Sequence, residues 1–204
     1  MATAVLPEPS PVTTADVPAP EQRMILHGVS WKDYVVLREA LDIPSLRMTY
    51  CEGVLELMSP SFGHEVDKTS IARLIEYYGL LRRLRLNGYG GPTFRREAKQ
   101  RGCEPDECYC VGRAMTDGQF PDIVLEVVHT NPLLDKLSVY AGFPVPEVWV
   151  FRNGGFEIFR LAGEQYERVE RSGFLPDLDF ALIARLAAYP DQQDALDELR
   201  NLLG

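Results

Sequence analysis

The chain has 204 residues, 46% of them apolar and 25% charged, the balance of one folded domain with tails and enough material for a buried core. No apolar run approaches the roughly 20 residues that cross a bilayer, and the first residues lack a basic start followed by an apolar stretch, so a soluble cytoplasmic protein with no membrane association is expected. The 21 Lys and Arg against 30 Asp and Glu give a net charge of -9, which argues against a protein that coats nucleic acid through cationic contacts.

Residues 1–22 hold five prolines, Pro7, Pro9, Pro11, Pro18 and Pro20, among Ala, Thr and Ser. Such a segment forms few regular hydrogen bonds and buries little, so a disordered tail is expected, with the fold starting near Met24. Ser30 is a candidate N-cap for a short helix that places Trp31, Tyr34, Val35 and Leu41 near one face. Residues 47–58 look extended on both sides of Glu52-Gly53, and Ser59-Pro60 ends them, which predicts a β-hairpin whose turn carries an acid. From about Gly63 to Leu86, the residues Ile71, Leu74, Ile75, Tyr78, Leu81 and Leu84 form a helical stripe. Asn87 to Pro92 then breaks the helix; this glycine-rich stretch matches neither a P-loop nor a dinucleotide fingerprint and reads as a helix-to-strand connection.

Between His64 and Arg101 nine Lys or Arg stand against four acids. This permits a basic surface for an anionic partner on an acidic body, although a run of arginines on a helix is more often a solvated face. Short strands are predicted at 93–99, 107–111 and 123–128, then a helix at 133–141 and strands at 147–152 and 156–161. The last stretch, 191–204, carries Leu196, Leu199, Leu202 and Leu203 on one face and reads as a terminal helix packing on the body or on a partner subunit. The organisation is therefore a tail over 1–22, one α+β or mixed α/β domain over 23–190 and a C-terminal helix, with no internal repeat.

Three of the four cysteines, Cys103, Cys108 and Cys110, crowd into one short stretch. The spacing C-x4-C-x-C lacks a C-x-x-C knuckle and a nearby histidine, which favours buried strand thiols over a zinc site. The sharper signal is a set of acids on the middle strands. Pro105-Asp106 and Pro121-Asp122 each introduce a strand, and strand alternation puts Asp122, Val124, Glu126 and Val128 on one face. An unpaired carboxylate in such a strand is costly, and a bound cation or a lysine would offset that cost. Lys136 follows on the next helix. His64 opens a helix, where a capping role competes with proton transfer or metal binding; His129 is a weaker candidate and His27 has no assigned role. No Ser or Cys nucleophile with a convincing base appears.

In these residues the chain resembles the Uma-two family of candidate restriction endonucleases, within the PD-(D/E)XK nuclease superfamily, over about Ser30 to Leu161 and at most to Leu186. The matching features are Tyr50-Cys51-Glu52-Gly53, Leu57-Met58-Ser59-Pro60, Ser61-Phe62-Gly63-His64, Pro105-Asp106, Pro121 to Val127, Asp135-Lys136 with Tyr140, and Pro146 to Val150. The resemblance implies an α/β, restriction-endonuclease-like core, a mixed β-sheet flanked by α-helices. It also implies a Mg2+ or Mn2+ site at Asp106 and Glu126 and hydrolysis of DNA phosphodiester bonds. In the superfamily the lysine stands two residues after the strand acid, where this chain has Val128; in Uma-like sequences the helix lysine, here Lys136, takes its role. Glu52 and His64 match further family positions, as an extra ligand and a polar helper. The stretch Val127 to Pro132 departs from the family pattern. Nuclease analogy also suggests a homodimer. The competing expectation is a nuclease-fold protein without hydrolysis, serving as a binding or assembly module.

Overall fold

A computed structural model describes residues 20–43, 45–132 and 134–204. The tail expected over 1–22 lies, up to residue 19, outside the described residues. The first strand, β1 (Gln22–His27), starts ahead of the expected Met24 and pairs with a later strand.

Ser30 caps α1 (Trp31–Ala40) as expected, its hydroxyl accepting the Asp33 N–H. The hairpin follows: β2 (Arg47–Cys51) and β3 (Val54–Ser59), joined through Glu52 and Gly53, both at positive φ, as a tight two-residue turn requires. Helix α2 (Phe62–Leu81) is capped by Ser61 and stops five residues before Leu86, where the apolar stripe suggested its end. Arg83 adopts φ 55°, the Leu84 N–H bonds the Gly79 carbonyl at 2.8 Å and the Arg83 N–H bonds Leu80 at 3.1 Å. This is a Schellman closure, usually signalled by a glycine, and here an arginine fills the left-handed position.

The chain continues through β4 (Leu86–Gly88), β5 (Phe94–Arg96), β6 (Arg101–Cys103), β7 (Glu107–Val111) and β8 (Ile123–Val128). After α3 (Lys136–Tyr140) come β9 (Glu147–Arg152), β10 (Gly155–Ala162) and β11 (Gln165–Val169), then α4 (Phe180–Ala187) and α5 (Gln192–Leu203). The fold is mixed α/β with two sheets, ordered β1-β3-β2-β6-β5 and β11-β10-β9-β8-β7-β4. All pairs are antiparallel except β8 with β9. A parallel pair needs a crossover, and the segment carrying α3 supplies it.

Helix α1 covers one face of the first sheet, with Tyr34 stacked on Tyr50 at 4.9 Å beside Met48 and Leu55. In the second sheet every residue of β8 is buried. Its odd positions, Ile123, Leu125 and Val127, face α2, α4 and α5 in the main core. Its even positions, Val124 and Val128, join a second core with Phe94, Cys103, Val139 and Phe143. The predicted alternation of β8 therefore holds, and Glu126 falls on the side of this second core. Helix α5 turns Ala195 and Leu199 into the main core and leaves Leu202 exposed, so of the two expected uses of its apolar side, the body or a partner subunit, packing on the body takes most of it.

The chain crosses from the first sheet to the second between β6 and β7, through Glu104-Pro105-Asp106. Glu104 fixes this crossing by accepting bonds from Arg38, the Met48 N–H at 3.1 Å and the Thr93 hydroxyl at 2.7 Å. Gly91 faces it from the glycine-rich loop: a Cβ there would collide with the Pro105 carbonyl oxygen, which gives that loop a packing role. Gly91→Ala is expected to lower stability by about 1–3 kcal/mol, read as a fall in melting temperature; an unchanged melting temperature would remove the loop from this account.

Candidate active site

Glu126 is 4% exposed and meets α3 from the middle of β8. Lys136 and Tyr140 stand one helical turn apart, hence on one face of α3. The Lys136 Nζ donates to the two Glu126 oxygens at 3.2 and 3.4 Å, and the Tyr140 hydroxyl donates to Oε1. Asp135 caps the helix by accepting the Leu137 N–H at 3.1 Å, which fixes the turn that carries Lys136.

Asp106 is 2% exposed and precedes β7. The ladder between β7 and β8 reaches Glu107 opposite Leu125, and beyond it the Asp106 Oδ2 accepts the Val127 N–H at 2.8 Å. This bond ties Asp106 to the residue next to Glu126. Its Oδ1 faces the His64 Nε2 at 3.0 Å. His64 is fully buried in the first turn of α2, its N–H bonded to the Ser61 hydroxyl at 3.2 Å, and its Nδ1 faces the Glu21 Oε2 at 3.1 Å.

The environments push the two acids in opposite directions. Burial raises the Glu126 carboxyl; Lys136 pulls it back and Asp106 pushes it up, leaving it above its ordinary value. Burial also raises Asp106, but the hydrogen bond and charge of His64, with the charge of Lys136, outweigh it and hold the carboxyl below its ordinary value. Burial lowers His64 and Lys136, yet their acidic neighbours leave both above their ordinary values. Paired acids with divergent proton affinities are a feature of catalytic sites, and also of buried ion-pair networks.

Asp106, Glu126, Lys136 and His64 are thus brought together. Glu52 is not: it occupies the β2–β3 turn, is 69% exposed and pairs with Arg101 at 3.1 Å. Four residues further on, Glu56 is buried and joins Arg23 and the Leu134 N–H, the latter at 2.7 Å. Arg23 also bonds Glu21 at 2.9 Å, so the two acids and His64 form one chain of contacts beside Asp106. The sequence reading missed both. Glu56 had the signal used for Glu126, an acid at an inward position of an apolar strand. Glu21 had none, because only the pairing of β1 with β3 brings it to His64. His129 pairs with Asp67 at 2.8 Å instead. Asp122 shares the face of Glu126 but is taken by the Val111 N–H at 2.8 Å and Arg113 at 2.7 Å.

Glu126 and Lys136 line a surface cleft of about 400 Å3; Asp106 and His64 lie outside its walls. Among the described residues no group of three or more His, Cys, Asp or Glu side chains is arranged to hold a metal ion. The donor chemistry nonetheless fits a hydrated Mg2+ or Mn2+: Asp106 and Glu126 offer hard carboxylate oxygens, and Mg2+ commonly takes one or two carboxylates and keeps its waters. Cys103, Cys108 and Cys110 are buried strand thiols, two of them in the second core. Burial raises each thiol, Cys108 to about 12. A disulfide-exchange reagent at pH 8 is expected to label at most the half-buried Cys51 quickly, and all four after denaturation; rapid labelling of three would contradict this packing.

The basic excess between His64 and Arg101 does not gather at the site. Arg82, Arg83 and Arg85 are exposed at the far end of α2, and the helix from His64 to Arg82 spans about 27 Å.

A family model, Uma2, described as "Putative restriction endonuclease", matches residues 31–186. The chain belongs to this family, the one its motifs resemble. No curated protein matches the chain. No described helix is long and apolar enough to cross a membrane.

Proposed function

We propose that the protein is a metal-dependent endonuclease that hydrolyses phosphodiester bonds in DNA. The observation that carries this reading is Glu126: an acid in a wholly buried strand, held by Lys136 and Tyr140, adjoining Asp106 and opening onto a cleft. Asp106 and Glu126 would hold the Mg2+ or Mn2+, which supplies a polarised phosphate oxygen and a more acidic bound water. Lys136, fixed at the cleft wall, neutralises charge that develops on the phosphoryl oxygens or orients the attacking water. His64 and Glu21 hold Asp106 in its ionised form and orientation, the support that ligating carboxylates need. Family membership supports a nuclease reading in general.

The test is nicking of supercoiled plasmid by the purified full chain with Mg2+ or Mn2+, and with EDTA. Cleavage that needs the metal and is lost on Glu126→Ala and Lys136→Ala is expected. Equal cleavage by all three proteins would assign it to a contaminant. The second reading, a nuclease-fold binding or assembly module without hydrolysis, is favoured by one feature: Asp106 and Glu126 already have protein partners on all four oxygens. It predicts no cleavage with either metal.

A further inference from the structure

The cleft beside Glu126 holds a cation that the reaction above leaves unused. Arg152 ends β9, opposite Val128 in the parallel pair with β8. It is therefore two residues past Val150, the partner of Glu126, and alternation keeps it on the same side of the sheet. It lines the cleft with Glu126 and Lys136. Its Nε is buried and has no hydrogen-bond partner among the described residues. Arg47 and Arg101 share that property, but neither lines this cleft.

The acids around the cleft are committed elsewhere. Glu126 is held by Lys136 and Tyr140, Asp135 caps α3, and Glu157 pairs with Arg168 at 3.2 Å. A guanidinium that lines a cleft and has no carboxylate paired with it among the described residues is suited to an acceptor brought from outside, and its planar fork matches the oxygens of a phosphate. We propose that Arg152 binds a backbone phosphate of DNA in this cleft, beside the Glu126–Lys136 pair. The assignment rests on the hydrolase reading and adds to it the group that seats the substrate strand.

The experiment measures binding of a fluorescein-labelled DNA duplex to the full chain in Ca2+, across a salt series, alongside plasmid nicking in Mn2+. Arg152→Gln is expected to weaken binding about 10-fold and to make the slope of log K against log salt shallower by about one, as loss of one phosphate contact requires. Arg152→Lys should restore the slope with only part of the affinity, because the charge returns without the fork. Melting temperatures of both variants should match the wild type, since no described partner is lost; a structural role would lower them. Wild-type nicking with an unchanged affinity and slope in Arg152→Gln would overturn the Arg152 assignment alone. A wild type that neither binds nor nicks the duplex would overturn the hydrolase reading and this assignment together.

Discussion

Replacing Glu126 with glutamine is expected to lower metal-dependent nicking by about 1,000-fold, the several kcal/mol that a catalytic cation contributes to the transition state. The substitution is nearly isosteric. The amide oxygen can still accept the Tyr140 hydroxyl, so the second core keeps its shape. Two things are lost: a hard anionic ligand and the counter-charge of Lys136, whose side chain is only 12% exposed. A lower melting temperature is therefore expected too, because the ammonium is left beside a neutral amide. Nicking by Glu126→Gln at the wild-type rate would remove this acid from the chemistry.

Lys136→Ala is expected to cost about 3 kcal/mol at pH 8, because it strands the Glu126 carboxylate in a buried site. It should abolish nicking as well. The stability cost has a distinctive pH dependence. Burial raises the Glu126 carboxyl and Lys136 is the main influence lowering it, so removing the lysine raises it further. Between the ordinary glutamate value and this raised one, the folded variant holds a proton that the unfolded chain lacks, and its stability increases as pH falls into that window. The gap to wild type should therefore narrow on acidification from pH 8, measured by urea unfolding at a series of pH values. Removing the lysine also takes away part of what holds the Asp106 carboxyl low, so the variant loses less stability from Asp106 as pH falls and the gap narrows in the same direction. A gap that stays constant with pH would mean that Lys136 does not act through Glu126.

The residues legible from sequence were those whose local pattern and tertiary role coincide. Strand β8 reads directly because its alternation runs between two cores, and the acid within it stands out against Val124 and Val128. The Glu52-Gly53 turn reads directly because Gly53 accepts the positive φ of a two-residue turn and extended segments flank it, although Glu52 adopts positive φ as well. By contrast, α2 ends at Leu81 and is closed by a left-handed Arg83, which carries no local stop signal, so its apolar stripe overran into β4. Helix α4 was passed over although Asp179 caps it by accepting the Leu182 N–H at 3.0 Å. Strands β1, β6 and β11 are short or edge elements defined by their neighbours rather than by a hydrophobic period. At the site, Asp106 entered through family resemblance and Glu126 through alternation. Glu21 and Arg152 depend on strand register, which a single sequence does not display.

The geometry makes Asp106 and Glu126 neighbours at the junction of the two sheets, one held below and one above its ordinary proton affinity. The most direct measurement is Mn2+ binding to the purified chain by titration calorimetry, repeated on Asp106→Asn and Glu126→Gln. One ion per chain, with affinity reduced at least 10-fold in each variant, is the predicted result. Equal affinity in all three proteins, or no binding to the wild type with or without DNA, would contradict a shared cation at these two carboxylates.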